Sequence, residues 1–155
     1  GGSLSEAFAT RLATACSSLN KGYPSLLFGM PNWENFTFIN NKPLKDYPVY
    51  FTSSYYNGKW DNTSKMVQDT YRTKYQGNPS ELVFKGYETT FRFIQLLTKY
   101  PDDYMSHLND SGVKVFSDFN FMPVFLNRSS KVPDYFENKH LYFLKAFNGN
   151  ISRVW

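Results

Sequence analysis

The sequence lacks most of the side chains that build cross-links, metal centres and catalytic sites. It has one cysteine, Cys16, and only two histidines, His107 and His140. A lone cysteine excludes an internal disulfide, and one thiol with two distant imidazoles is a poor set of zinc ligands. No Gly-x-Ser-x-Gly, His-Glu-x-x-His or glycine-rich phosphate motif occurs either. We therefore predict a protein that is not an enzyme and that uses no metal or cofactor.

Long hydrophobic runs and blocks of like charge are also absent. No apolar run reaches the roughly 18 residues that a membrane-spanning helix needs. The net charge is +4, but the cations are spread along the chain, which is typical of a solvated surface, and we expect no nucleic-acid partner. We interpret Gly1-Gly2-Ser3 as a cloning remnant and residues 4–155 as one domain.

Aromatic side chains are present in excess, with 15 Phe, 12 Tyr and 3 Trp. A domain of this size cannot fully bury so many rings. Some of the tyrosines and tryptophans should therefore lie at the surface or in a cleft. There they would offer rigid, amphipathic contact area to a ligand or a partner.

Helical periodicity marks the first two thirds of the chain. One helix is predicted from Ser5-Glu6 to about Gly22, with an apolar face that includes Leu4, Phe8 and Leu12. A second begins at Asn62 or Thr63 and ends at Gly77. A third begins at Ser80 and ends before Pro101. Its apolar positions at helical spacing are Val83, Tyr87, Phe91, Ile94 and Leu97. A short helix is predicted from Pro101 to Leu108.

Two apolar segments between the helices, Ser25–Met30 and Val49–Tyr55, predict parallel strands covered on both faces. Asn148-Gly149 predicts a tight hairpin turn, because both residues readily adopt positive φ. Further strands are predicted at Val113–Phe116, Asn120–Phe125, His140–Phe147 and Ile151–Trp155. This order predicts an α/β protein: a three-layer α/β/α lobe with a mainly parallel, Rossmann-like sheet, helices on both faces and a C-terminal antiparallel hairpin.

The order of three segments resembles the C-terminal lobe of type I periplasmic binding proteins. They are the strand Phe51–Tyr56, the helix end Tyr71-Arg72-Thr73-Lys74-Tyr75, and Phe84-Lys85-Gly86-Tyr87-Glu88 after Pro79. The chain is most similar to exported, lipoprotein-like members from Bacteroidetes-type bacteria that resemble ABC transporter receptors for amino acids. The resemblance covers about Leu4 to Trp155. It implies a ligand cleft between two lobes, of which the N-terminal lobe is missing here.

Candidate ligand-binding residues follow the two parallel strands, because ligands of α/β sheets lie beyond the carboxyl ends of the strands. After the first strand, Gly29 would permit close backbone approach, Trp33 would offer a stacking face and Glu34 would hold an ammonium group. The alternative is a capped turn with Trp33 packed in the lobe. After the second strand, hydroxyls and phenols would bind a carboxylate or a sugar. The alternative there is an exposed strand end. The complete candidate set is Met30, Asn32, Trp33, Glu34, Ser53, Ser54, Tyr55 and Tyr56.

The resemblance implies a non-catalytic lobe of a cell-envelope or periplasmic protein that binds a small polar solute, such as an amino acid or a cell-wall fragment, for transport or sensing. Its partners would be the missing lobe and a membrane permease or a peptidoglycan-associated protein. The alternative function is a protein–protein interaction module of an envelope lipoprotein. Aromatic rings that converge on a concave site with polar groups at its base would favour the solute-binding function. Rings that form a flat apolar patch would favour the protein–protein interaction function.

Overall fold

The computed structural model describes residues 2–40, 44 and 46–154, so Gly1 and Trp155 of the segments named above lie outside the described residues. The chain divides into two compact units. The first contains residues up to Tyr56 and returns at Leu141, and the second runs from Asn57 to His140. None of the described helices is long and apolar enough to cross a membrane.

The first unit is built on a four-stranded mixed sheet in the order β1-β2-β5-β6. Its strands are β1 (Leu27–Phe28), β2 (Val49–Ser53), β5 (Tyr142–Phe147) and β6 (Asn150–Arg153). The predicted parallel pairing of the first two strands is confirmed, with Leu27 opposite Val49. The predicted hairpin is confirmed as well. Asn148 and Gly149 have φ values of 50° and 79°, which the primed turn requires.

The α/β class is confirmed, but the sheet is not mainly parallel. Only β1 and β2 run parallel, whereas β5 is antiparallel to both β2 and β6. A two-residue hairpin forces β5 and β6 to be antiparallel. Alternation in β5 buries Tyr142, Leu144 and Ala146 on one face. Phe143 and Phe147 on the opposite face remain exposed, so the described part of the unit does not show helices on both faces.

The helix α1 (Glu6–Leu19) begins at Ser5 as predicted, where the Ser5 hydroxyl accepts a hydrogen bond from the Phe8 amide. Its predicted apolar face is confirmed only in part. Leu12 packs against the core, but Leu4 and Phe8 are exposed, and the fully buried residues are Ala9 and Ala13. Alanine lets a helix approach a sheet closely, so the small residues face inward. The four-residue helix α2 (Thr37–Asn40) is tied to α1, because Glu6 Oε1 accepts the Thr37 amide at 2.6 Å. This contact and the Thr37 hydroxyl lower the pKa of Glu6.

The second unit combines two long helices with a β-ribbon. The helices are α3 (Asn62–Tyr75) and α4 (Glu81–Lys99), and the ribbon pairs β3 (Phe121–Val124) with β4 (Tyr135–Asn138). Asp61 caps α3 by accepting the Ser64 amide at 2.8 Å. The segment predicted as a helix from Pro101 to Leu108 forms turns and a 3₁₀ helix at Tyr104–His107. The strand β4 was not predicted.

The orientation of α4 reverses the expectation from its sequence. The buried face carries Phe84, Glu88, Arg92 and Leu96 at spacings of four. The predicted apolar face is instead open, with Ile94 57% and Leu97 47% exposed. The hydrogen bonds of Glu88 and Arg92 explain this orientation. Arg92 Nη2 donates to the carbonyl of Leu108 at 2.6 Å, and its guanidinium lies over the Phe119 ring. Burial lowers the pKa of Arg92, while the charges of Glu88 and Asp110 oppose that shift.

The segment predicted as a strand at Val113–Phe116 is not one. Glu88 Oε1 accepts the amides of Phe116 at 2.8 Å and Ser117 at 2.6 Å. These amides bind a carboxylate instead of a neighbouring strand, and the chain starts a 3₁₀ turn at Ser111–Val113. The acceptor of these amides is a side chain on α4 and not a neighbouring strand. The sequence of the segment itself therefore contains no periodic pattern that would reveal this arrangement.

Replacing Glu88 should destabilise the second unit. Glu88→Ala leaves one buried and one partly buried amide without their acceptor and removes the opposing charge near Arg92, so we expect a loss of about 2–4 kcal/mol in the free energy of unfolding. Glu137→Ala is the matched control, because Glu137 is exposed and forms a surface ion pair with Lys139. Urea denaturation followed by circular dichroism measures both variants. Equal stability of the two variants would contradict this account of α4.

Candidate functional site

The loop after β1 is shaped by the packing of Trp33. Pro31–Asn35 form a 3₁₀ helix that turns the indole back over Gly29. A Cβ on Gly29 would lie 2.2 Å from Trp33 Cε3, so only glycine fits beneath the ring. The absence of a side chain at Gly29 therefore accommodates Trp33, whereas the sequence suggested close approach to a ligand.

Trp33 is completely buried. Its Nε1 donates to the Ser3 carbonyl at 2.8 Å, and its ring meets the Phe38 ring edge-on with centroids 5.9 Å apart. An indole whose faces and only donor are occupied cannot stack on a ligand. The alternative of a turn with Trp33 packed in the core thus describes its position.

The two predicted loops lie at the same edge of the sheet, as their place after parallel strands requires. Ser53 at the end of β2 donates from Oγ to Glu34 Oε2 at 3.0 Å, which joins one loop to the other. The same hydroxyl oxygen accepts the Tyr55 amide at 3.3 Å. This connection engages one oxygen of the Glu34 carboxylate and fixes the backbone where β2 ends.

The other candidate side chains differ in accessibility. Tyr55 is buried, at 8% exposure, and Met30 packs against the core. Tyr56 is half-buried, with its ring 6.0 Å from that of Tyr142. Ser54 is exposed, and Asn32 is half-buried. The side-chain oxygen of Asn32, Oδ1, is buried and has no hydrogen-bond partner among residues that the structure describes. Of the candidate polar side chains at this edge, Glu34 and Ser54 are at least partly exposed, as is the Asn32 side chain apart from Oδ1.

The histidine and carboxylate side chains that the structure describes lie at separate places. His107 stacks on Tyr100 at 3.7 Å, and its Nδ1 lies 3.0 Å from the carbonyl of Asp103. Across residues 2–40, 44 and 46–154, no three His, Cys, Asp or Glu side chains come close enough to hold a metal ion. Asp110, which accepts from Lys99 Nζ, the Gly112 amide and the Tyr100 hydroxyl, has a pKa held far below its usual range, and these contacts fix a loop.

An open cavity of the second unit was not predicted from the sequence. It measures about 590 Å³ and lies between the C-terminal half of α4, the 3₁₀ helix at Tyr104–His107 and the β-ribbon. Phe93 and Phe121 contribute to its walls. The alternation of Phe119, Phe121 and Phe125 in the sequence is more typical of a buried strand face than of a binding stripe, so it does not indicate a cavity. Only the position of the unpredicted strand β4 reveals that a cavity forms.

The comparisons with known proteins identify no relative. No protein-family model, no curated protein and no solved structure matches the chain.

Removing the Ser53 hydroxyl should loosen the connection between the two loops. Ser53→Ala leaves Glu34 Oε2 without this donor, and we expect the free energy of unfolding to fall by roughly 1–2 kcal/mol. Ser54→Ala, one residue further at an exposed position, should change it by less than about 0.5 kcal/mol. Urea denaturation of both variants checks this. A Ser53→Ala variant as stable as Ser54→Ala would mean that the hydrogen bond contributes nothing.

Proposed function

We propose that this chain is the solute-binding part of a two-lobed receptor of the cell envelope, and that the edge formed by Asn32, Glu34 and Ser54 contacts a small polar solute. The observation that carries the proposal is the hydrogen bond from Ser53 to Glu34, because it brings both strand-end loops to one place. In α/β proteins this is the edge at which ligands bind. The resemblance of Phe51–Tyr56 and the following helices to type I periplasmic binding proteins supports the same edge.

The chemistry of the edge favours a polar solute over a stacked ring. Trp33 and Tyr55 are buried, so hydrogen bonds rather than aromatic faces would hold the solute. Glu34 would attract an ammonium group, and the Asn32 side chain would offer its amide donors, since its oxygen is buried. An amino acid or a cell-wall fragment carries groups that match these. The proposal includes a three-layer, Rossmann-like lobe and a second lobe that would cover this edge and exclude water.

Asn32 provides the sharpest test of solute binding. The chain, labelled with ¹⁵N, is titrated with amino acids and with a muropeptide while amide shifts are recorded. We expect weak binding, because one lobe supplies only part of the contacts, with shifts at residues 30–34 and 53–56. Asn32→Ala should weaken it by roughly three- to tenfold through the loss of a side-chain hydrogen bond.

The control is Asn35→Ala, which alters an exposed asparagine at the end of the same 3₁₀ helix. It should bind as the unaltered chain does. Shifts that leave both loops untouched, or equal effects of the two variants, would count against the proposed edge.

A second candidate function is a protein–protein interaction module, and the outward face of α4 favours it. Phe91, Ile94 and Leu97 are all exposed on one helix. Apolar side chains three residues apart lie on neighbouring positions of one helix face and form the kind of stripe that docks against another helix. A second copy of the chain would present the same stripe.

Self-association through α4 is measurable by sedimentation velocity over a range of protein concentrations. Ile94→Lys places a charge in the stripe and should shift association to higher concentration by about tenfold or more, without a loss of stability because Ile94 is exposed. Thr89→Lys is the matched control, because Thr89 is exposed on the same helix but is not three or four residues from Phe91, Ile94 or Leu97. A chain that stays monomeric at all concentrations would argue against this candidate.

A further inference from the structure

We propose that the open cavity in the second unit binds a small molecule with an aromatic or aliphatic body and one cationic group. This site is separate from the strand-end edge of the first unit and goes beyond the function proposed for that edge. Its volume of about 590 Å³ falls within the range of roughly 300–1,000 Å³ that is typical of ligand pockets.

Aromatic residues make up half of the described residues that line the cavity. Phe93 comes from α4, Tyr104 from the 3₁₀ helix, Phe121 from β3, and Tyr135 and Phe136 from β4. Leu108, which is 5% exposed, belongs to the small core beneath them. Rings of this kind bury an apolar body, and their faces also attract cations.

Among the residues that the structure describes, Asp134 is the only charged side chain that lines the cavity. One carboxylate oxygen, Oδ2, accepts the Leu126 amide at 2.8 Å. The other, Oδ1, has no hydrogen-bond or ion-pair partner within the part of the chain that the structure describes. A carboxylate beside aromatic rings, with no lysine or arginine in the described lining, selects for an ammonium or guanidinium group.

The walls are fixed before any ligand arrives. The Asn109 side chain binds Phe121 twice, accepting its amide at 2.7 Å and donating to its carbonyl at 2.9 Å. Arg92 holds the carbonyl of Leu108 from beneath. The Asp134 amide donates to the Val124 carbonyl at 2.9 Å, which positions the carboxylate at the end of the ribbon. A preformed cavity loses less conformational entropy when it binds.

The test uses three probes of one shape: 2-phenylethylamine, 2-phenylethanol and phenylacetate. Each is titrated into the ¹⁵N-labelled chain, and amide shifts are followed at Phe121, Tyr135 and their neighbours. We expect the amine to bind more tightly than the alcohol by roughly three- to tenfold, and the carboxylate to bind most weakly. This order isolates the contribution of the positive charge from that of the ring.

Two substitutions change the charge of the cavity in opposite directions. Asp134→Asn keeps an oxygen for the Leu126 amide but removes the charge, and it should weaken amine binding by roughly three- to tenfold while leaving the alcohol unchanged. Met105→Glu adds a carboxylate at a lining position that is 44% exposed, and it should strengthen amine binding by a similar factor.

Asp69→Asn is the control, because it removes the same charge from an exposed position of α3 outside the cavity. It should bind the amine as the unaltered chain does. Asn32→Ala should also leave amine binding unchanged, which separates this site from the edge in the first unit. The inference is overturned if no probe shifts the cavity amides, if amine and carboxylate bind equally, or if Asp134→Asn and Asp69→Asn behave alike.

Discussion

Two ionised residues on the inner face of α4 hold the second unit together. Glu88 and Arg92 lie one turn apart and are 1% and 3% exposed. Each uses its charge on backbone groups of the segment that follows the helix: Glu88 on the amides of Phe116 and Ser117, and Arg92 on the carbonyls of Leu108 and Val113. Buried charges persist only when they are paired or hydrogen-bonded. Their need for partners therefore determines which face of α4 turns inward.

This constraint has two consequences for function. The apolar stripe of α4 turns outward, which leaves Ile94 and Leu97 open to a partner. The segment after the helix is held close to α4, so that Leu108 and the β-ribbon enclose the aromatic cavity. The same two hydrogen-bonding side chains thus leave apolar side chains exposed on one side of the helix and contribute to a cavity wall on the other.

Sequence reasoning found the elements whose signals are local. The Ser5 cap of α1, the Asn148-Gly149 turn and the parallel start of the sheet each depend on a few neighbouring residues. Predictions from the sequence were wrong where residues far away in the chain determine which side of a helix packs inward. The buried side of α1 is set by alanines that share a core with the sheet, and the buried side of α4 is set by the carbonyls to which Arg92 donates. Helical spacing in the sequence shows neither. At the candidate site, the common edge was predictable from strand direction, whereas the sequence left open whether Trp33 faces a ligand or packs in the lobe, and the structure buries it over Gly29.

The burial of Trp33 changes what kind of ligand the first unit can hold. An exposed indole would have favoured a sugar or an aromatic ring, through stacking. With the indole inside, the partly exposed polar side chains at that edge are Asn32, Glu34 and Ser54, which would recognise hydrogen-bonding solutes under the proposed function. The cavity of the second unit, whose lining includes aromatic rings and Asp134, would instead suit the apolar cation proposed there. The two proposed sites would therefore differ in chemistry, with polar recognition where the strands of the first unit end and recognition of an apolar cation in the second unit.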